Sequence, residues 1–223
     1  MKYTKNEIAA MVDHTLLKAD ATRAGFEKLC QEARDYGFAM VAINPAPVKL
    51  CKELLAGSPV HVGAAIGFPL GQTTVVDKIR ETDNAITNGA DEIDYVINIG
   101  QLKDGHTDYI EDEMNRIVTM CRQHGVISKV IFENCYLTDQ EKRTVAAIAK
   151  EVRPDFIKTS TGFGPSGATF DDVILMKEVV GDAVGIKAAG GIRTAADALT
   201  YVELGVTRLG TSAGIAIVES LEE

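Results

Sequence analysis

Two lysines follow short apolar stretches that succeed each other along the chain, in "DFIKTS" and "VGIKAAG". If these stretches form neighbouring strands, Lys158 and Lys187 would lie roughly 5 Å apart at the same level. Burial and mutual repulsion both lower the pKa of a lysine, which leaves part of it as the free amine at neutral pH. A free amine attacks carbonyl groups and forms a Schiff base. The pattern therefore predicts covalent catalysis by Lys158, with Lys187 keeping it unprotonated and carrying protons.

A carboxylate of opposite charge stands in a third apolar stretch, "EIDYVIN". Across the mouth of a barrel, Asp94 could pair with Lys187 and move protons directly or through a water molecule. A structural ion pair is the alternative interpretation. The apolar neighbours Ile93 and Val96 make a carboxylate without a function costly at this position, which favours the catalytic role.

Three glycine-containing turns form a second group of candidates. They are "TGFG" (161–164), "AGG" (189–191) and "GTSAG" (210–214), each following an apolar stretch. Glycines let backbone N–H groups approach a ligand closely, and barrel enzymes often bind phosphate in the loops after strands seven and eight. Ser212 is expected to add a hydroxyl group and to begin the last helix. We interpret the three turns together as a phosphate site, although each alone is compatible with an ordinary tight turn.

The elements that must position these groups are eight apolar stretches that alternate with helix-like patterns. The predicted strands are VDHTL, FAMVAI, VHVGAAI, EIDYVIN, VISKVIFE, DFIKT, AVGIKA and VTRLG. Such stretches are typical of parallel strands covered on both faces, and the alternation indicates βαβ units. The count of eight favours one (β/α)8 TIM-barrel domain over residues 1–223, with a short N-terminal helix. A doubly wound open sheet is the alternative.

The carboxyl ends of barrel strands face the active site. Besides the residues above, the predicted ends carry Asp13, Thr15, Asn44, Gly67, Asn98, Glu133, Gly210 and Ser212, while Lys129 lies inside its strand. We interpret Asp13, Thr15, Lys129 and Thr161 as candidates for substrate contact. Hydrogen bonding between a strand end and its own loop is the alternative for any one of them.

Composition restricts the partners. The 223 residues are 46% hydrophobic and 25% charged, with a net charge of −9, which argues against nucleic acid and anionic membrane. No apolar run approaches the ~20 residues of a membrane span, and the charged N-terminus lacks a signal-type apolar core, so we expect a cytoplasmic protein. The four histidines are scattered, which predicts no metal site. The absence of GxGxxG after the first strand argues against a nicotinamide cofactor.

Several motifs together resemble the deoxyribose-phosphate aldolase family in its short bacterial form. In chain order they are DHTLLK, IGFPLG, GADEIDYVINIG, KVIFEN, DFIKTSTGFG, GIKAAGGIRT and LGTSAG, and they cover nearly the whole chain. The resemblance implies a class I aldolase on a (β/α)8 barrel. Such an enzyme reversibly cleaves 2-deoxy-D-ribose 5-phosphate into acetaldehyde and D-glyceraldehyde 3-phosphate, in deoxynucleoside catabolism. It uses no cofactor, and a homodimer is compatible with the resemblance.

The resemblance also implies roles for individual residues. Lys158 matches the Schiff-base lysine of the family, Lys187 its proton-handling lysine and Asp94 its acid/base aspartate. Asp13 and Lys129 match supporting polar positions. The phosphate-binding loops of the family correspond to positions Gly162, Gly190, Gly191, Gly210 and Ser212.

Two other functions compete with the aldolase hypothesis. A sugar-phosphate isomerase or epimerase would need a carboxylate base or a metal, but not two lysines. A barrel that binds a sugar phosphate without catalysis would not need two lysines and an aspartate together. Trapping of a Schiff base with borohydride distinguishes these three hypotheses.

Overall fold

The chain closes into a barrel of parallel strands. In the computed structural model, which describes residues 3–221, the strands are β1 (Val12–Leu16), β2 (Met40–Ile43), β3 (His61–Ile66), β4 (Glu92–Val96), β5 (Ile127–Ile131), β6 (Phe156–Lys158), β7 (Gly185–Ala189) and β8 (Arg208–Thr211). Each strand pairs with the next one along the chain, and β8 pairs with β1. The predicted (β/α)8 architecture is confirmed.

Helices precede the barrel and connect its strands. They are α1 (Lys5–Ala9), α2 (Arg23–Tyr36), α3 (Val48–Leu54), α4 (Val75–Thr87), α5 (Ile99–Lys103), α6 (Thr107–Gln123), α7 (Asp139–Val152), α8 (Phe170–Val180), α9 (Ala195–Glu203) and α10 (Gly214–Glu219). A 3-10 turn, Asn134–Tyr136, follows β5. The short N-terminal helix predicted from the sequence is α1. None of the helices within residues 3–221 is long and apolar enough to cross a membrane.

Local hydrogen bonds define where the helices begin and end. Thr138 caps α7 with a reciprocal bond to Glu141, a capping box whose Thr-x-x-Glu spacing is visible in the sequence. Gly37 ends α2 in the left-handed conformation, with φ of 65°. The prediction for the last helix is wrong: α10 begins at Gly214, and Ser212 lies in the turn before it. The preceding turn is closed by the Thr211 hydroxyl, which accepts a hydrogen bond from the Ala213 N–H.

The apolar core lies between the barrel and its helices, whereas the barrel interior also holds charged side chains. Strand residues such as Val41 and Val62 belong to one continuous apolar cluster with helix residues such as Met114. Side chains alternate between the two faces of each strand, so the intervening residues point into the barrel. The outer layer therefore supplies the hydrophobic stabilisation and leaves the interior available for charged groups.

A buried ion pair outside the barrel fixes the end of β4. The ammonium of Lys78 on α4 lies 2.5 Å from a carboxylate oxygen of Glu113 on α6 and donates to the Val96 carbonyl at 2.7 Å. The second oxygen of Glu113 accepts from the Asn98 N–H at 3.1 Å. Both side chains are fully buried. Two helices thus hold the backbone just beyond the strand that carries Asp94.

Glu113→Gln leaves the buried Lys78 ammonium without its counter-charge, and we expect the free energy of unfolding to fall by about 3–5 kcal/mol. Equilibrium unfolding in urea measures this loss. Glu178→Gln is the matched control, because it removes one partner of the exposed ion pair with Arg143 and should cost no more than about 1 kcal/mol. Equal losses in the two variants would contradict a special contribution of the buried pair.

Candidate active site

A cavity of about 570 Å³ opens at the carboxyl ends of the strands. Its wall is formed by α2 and by the segments that follow β1, β6, β7 and β8. The candidate residues that line it are Thr15, Lys158, Thr161, Gly162, Gly190, Gly191, Gly210 and Ser212, together with Ala42, Phe163 and Arg193. This volume is typical of sites for small molecules.

Lys158 is the reactive group in the cavity wall. It is the last residue of β6, and only 4% of it is exposed. Lys187 is its direct partner in the register between β6 and β7, so the two lysines are neighbours as the sequence predicts. One oxygen of Asp94, Oδ2, accepts from both ammonium groups, at 2.9 Å from Lys158 and 2.6 Å from Lys187.

More charged side chains lie beneath this trio, inside the barrel. The second oxygen of Asp94 accepts from Lys129 at 2.7 Å, and Lys129 also pairs with Glu92. Arg208 donates to both oxygens of Glu92 at 2.8 Å and lies 2.7 Å from Asp13. Asp13 closes this ring of ion pairs, because its Oδ2 lies 2.5 Å from the Lys187 ammonium. We call these seven side chains the barrel charge cluster.

The barrel charge cluster has one more cation than it has carboxylates. Its four basic members are Lys129, Lys158, Lys187 and Arg208, and its three acidic members are Asp13, Glu92 and Asp94. Three of the basic groups each contact two carboxylates, whereas Lys158 contacts only Asp94. Lys158 is therefore the cation that the cluster stabilises least, and it is the one that faces the cavity.

The pKa values follow from this arrangement. Burial lowers the pKa of Lys158 to about 8; Asp94 opposes this effect, and Lys187 and Lys129 add to it. Burial disfavours the charge of Asp94, but its three lysine neighbours outweigh burial and hold its pKa well below the ordinary value. For Lys129, the attraction of Asp94 and Glu92 overcomes burial and raises the pKa. One lysine is thus prepared for deprotonation while Asp94 and Lys129 stay ionised.

The glycine turns after β6, β7 and β8 converge beside Lys158. Gly190 has φ of 85°, and a Cβ there would lie 3.0 Å from the Gly167 Cα and 3.2 Å from the Gly162 Cα. A Cβ on Gly210 would lie 3.1 Å from the Lys187 Cε. Gly191, with φ of 81°, has no atom within 4 Å of its Cβ position and borders the cavity. Gly190 thus permits close backbone packing, and Gly210 leaves room for Lys187. Gly191 leaves the backbone N–H groups open to a ligand.

The structure separates the four candidates for substrate contact into two pairs. Thr15 and Thr161 line the cavity. Asp13 and Lys129 are fully buried below it and contact Lys187 and Asp94 instead. Asp13 is the second residue of β1, so its placement at a strand end is corrected: β1 continues to Leu16, and the stagger of barrel strands puts Asp13 under the lysines.

The sequence reasoning missed two members of the barrel charge cluster, Glu92 and Arg208. A signal existed, because Glu92 and Asp94 alternate within "EIDYV" and therefore lie on one face of their strand, and because Arg208 is a charged residue within the apolar stretch "VTRLG". Within residues 3–221, no group of three or more histidine, cysteine or acidic side chains is arranged to hold a metal ion.

Comparison with known proteins agrees with this geometry. Residues 8–219 match the pattern of the DeoC/LacD family aldolases. The chain is 56% identical to the deoxyribose-phosphate aldolase of Lactobacillus acidophilus, over 100% of this chain and 94% of that protein. It is 58% identical to the deoxyribose-phosphate aldolase of Bacteroides thetaiotaomicron, over 97% of this chain and 91% of that protein.

A solved structure extends the similarity to three dimensions. The deoxyribose phosphate aldolase from Aeropyrum pernix, described as a unique tetrameric structure, superposes with a TM-score of 0.91 at 29% sequence identity. The match covers 97% of this chain and 92% of that one. The resemblance seen in the motifs is confirmed, and this chain belongs to the DeoC/LacD family of aldolases.

Proposed function

We propose that this protein is a class I aldolase that reversibly cleaves 2-deoxy-D-ribose 5-phosphate into acetaldehyde and D-glyceraldehyde 3-phosphate, in deoxynucleoside catabolism. The observation that carries the proposal is Lys158, a buried lysine in the cavity wall whose one carboxylate partner among the described residues, Asp94, is shared with Lys187. Two of the curated relatives, at 56% and 58% identity, carry the name of this activity.

The lowered pKa gives Lys158 its nucleophilicity. At a pKa of about 8, about one molecule in ten carries the neutral amine at pH 7, compared with about one in three thousand for an ordinary lysine. The neutral amine attacks C1 of the open-chain sugar phosphate, and the resulting carbinolamine takes up one proton and loses water to give an iminium ion. In the iminium, the positive charge lies on the same nitrogen that carried it in the ammonium, beside Asp94.

Bond cleavage then follows from the iminium acting as an electron sink. The proton of the C3 hydroxyl passes through a water molecule to the Asp94–Lys187 pair. The electrons of the C2–C3 bond form an enamine between C1 and C2, and C3 becomes the aldehyde carbon of glyceraldehyde 3-phosphate. The same pair returns the proton to C2, and water hydrolyses the new iminium to release acetaldehyde, the amine and the proton that was taken up when the first iminium formed. These steps balance without a metal or a cofactor.

The phosphate group is proposed to bind at the other end of the cavity, against the glycine turns. Backbone N–H groups of Gly162, Gly190 and Gly191 would donate to it, with Gly210 giving room and Ser212 adding a hydroxyl. Thr15 and Thr161 line the same cavity and are proposed to contact the substrate. Asp13 and Lys129 are proposed to support the reaction from below, by holding Lys187 and Asp94 in place. A homodimer and a cytoplasmic location stay predictions.

Borohydride reduction in the presence of acetaldehyde should trap the adduct on Lys158, as seen by mass spectrometry of the peptide that contains it. Lys158→Ala should abolish both this adduct and nearly all cleavage of deoxyribose 5-phosphate, while circular dichroism stays unchanged. An adduct on Lys187 would overturn the assignment of the nucleophile. The absence of any adduct in the unmodified protein would favour an isomerase or a binding protein.

Lys158 should reduce the stability of the folded protein at neutral pH. Its pKa is about 8 when folded and near 10.5 when unfolded, so the folded state binds its proton less tightly. The resulting destabilisation, about 3 kcal/mol, is fully present below pH 8 and disappears as the pH rises towards 10.5. Lys158→Met should therefore stabilise the protein at pH 7, and this gain should shrink between pH 8 and pH 10 in urea unfolding experiments.

Lys187→Met is the matched control for the stability measurement, because it removes the same side chain at the same level of the barrel. Lys187 contacts two carboxylates, Asp13 and Asp94, so its loss should destabilise the protein. Destabilisation by Lys158→Met at pH 7 would contradict the conclusion that Lys158 is the least stabilised cation.

Gly191→Val should place a branched side chain where the phosphate approaches. We expect kcat/KM for deoxyribose 5-phosphate to fall by about 100-fold or more, because phosphate binding energy also positions the reacting carbons. Turnover of unphosphorylated deoxyribose should change far less. Gly57→Val is the matched control: Gly57 also has positive φ (74°) with open space around it, but does not line the cavity. An equal loss on both sugars would reject the proposed phosphate position.

A further inference from the structure

Glu133 combines an unfavourable backbone conformation with a buried charge. It follows β5, only 2% of it is exposed, and its φ and ψ are 56° and 60°. This left-handed region is disfavoured for residues other than glycine. Within residues 3–221, Arg153 is the one other non-glycine residue with positive φ, and it caps the end of α7 on the surface. An unfavourable conformation of this kind often marks a functional constraint.

The carboxylate of Glu133 is directed at a single residue of the loop after β6. One oxygen accepts from the Thr161 N–H at 3.1 Å, and the other accepts from the Thr161 hydroxyl. The Cys135 thiol adds a weak contact at 3.8 Å. No ion pair links Glu133 to a lysine, arginine or histidine within the described part of the chain. A buried carboxylate without a cation depends on such hydrogen bonds, so these bonds are strong constraints on the loop.

The hydroxyl of Thr161 is already committed by these contacts. Its proton goes to Glu133, and its oxygen accepts from the Phe163 N–H at 3.0 Å. Thr161 therefore cannot donate its hydroxyl proton or its N–H to a ligand while it is bound to Glu133. Between Thr161 and Phe163 lies Gly162, which borders the cavity and whose N–H makes no hydrogen bond within residues 3–221. Thr161 thus links the turn around Gly162 to Glu133 through its N–H and hydroxyl, and to Phe163 through its hydroxyl oxygen.

The rest of the turn packs directly on Glu133. A Cβ on Gly164 would lie 2.7 Å from the Cys135 sulfur and 3.3 Å from the Glu133 carboxyl carbon. The backbone beside Glu133 is anchored separately, because the Phe132 N–H donates to the Lys158 carbonyl and the Asn134 N–H donates to the Thr159 carbonyl. Loss of the Glu133 side chain would leave these backbone bonds to the Lys158 strand in place.

We propose that Glu133 is a positioning residue, which fixes the turn 161–164 so that the Gly162 N–H points at the substrate phosphate. The inference rests on the proposed function and deepens it. Glu133 acts through Thr161 and touches neither the substrate nor Lys158. The unfavourable backbone conformation at Glu133 is retained because it aims the carboxylate at this turn.

Glu133→Ala should lower kcat/KM for deoxyribose 5-phosphate by about 10- to 100-fold, the range expected for loss of hydrogen bonds to a charged group. The loss should appear mainly in KM, and the inhibition constant of inorganic phosphate should rise by a similar factor. Turnover of unphosphorylated deoxyribose and the borohydride-trapped acetaldehyde adduct on Lys158 should change by less than about threefold. Glu133→Gln keeps an acceptor and should recover part of the loss.

Thr161→Val tests the same bond from its other partner, and it also serves if Glu133→Ala folds poorly. Its effect and that of Glu133→Gln should be less than additive in the double variant, because both remove one interaction. Arg153→Ala is the control, because Arg153 also has a left-handed backbone conformation but lies away from the site. This variant should leave the turnover of both sugars unchanged.

Equal losses on both sugars, or an unchanged inhibition constant for phosphate, would overturn the positioning role. Failure of the proposed function would look different. The unmodified protein would then show neither a Lys158 adduct nor cleavage of deoxyribose 5-phosphate. Calorimetric titration would still compare the dissociation constant of inorganic phosphate between the unmodified protein and Glu133→Gln.

Discussion

The structure depends on an imbalance of one charge inside the barrel. Four basic groups share three carboxylates, and the geometry assigns two carboxylate contacts to each basic group except Lys158. Loss of the Lys158 proton removes the excess positive charge among these seven side chains; outside them, His61 also contacts Glu92, at 2.7 Å. Electrostatics in a buried site of low dielectric therefore favours the free amine where a carbonyl must be attacked. The nucleophile is set by the whole cluster more than by any single neighbour.

The rest of the fold makes this imbalance possible. The apolar layer between strands and helices supplies the hydrophobic stabilisation, so that the interior can hold charges that contribute little to folding. Glycines on the strands make room for long side chains: Gly210 lies beside Lys187, and Gly63 leaves space that Met40 fills. Outside the barrel, Lys78 and Glu113 hold the backbone beyond β4 and so support the strand of Asp94.

Side chains and backbone have different roles in the proposed site. Ionised side chains lie inside the barrel, where they tune Lys158 and handle protons. The proposed phosphate region instead uses glycine turns at the rim, whose N–H groups need no counter-charge. Such turns are flexible unless something holds them, because glycine has more conformational freedom than any other residue. The contact between Glu133 and Thr161 provides this restraint for the turn after β6.

Much of this protein could be read from its sequence. Alternating apolar stretches predicted eight strands in parallel, because strands covered on both faces must be apolar. The lysines of "DFIKTS" and "VGIKAAG" were expected to be neighbours, and they are, because consecutive strands of a barrel pair with each other. The capping box at Thr138 and the glycine turns were also visible, because their hydrogen bonds or conformations are local.

Only the tertiary structure decided how the charges are shared. Asp13 and Arg208 are 195 residues apart in the chain, and no local pattern indicates that they meet. The stagger of the strands determines which inward residues share a level, so it placed Asp13 and Lys129 below the site instead of in contact with the cavity. The role of Glu133 likewise depends on the packing of two loops, since its partner Thr161 belongs to the next strand unit. Sequence periodicity assigns a residue to a face of its own strand, but contacts between strands depend on the closed barrel.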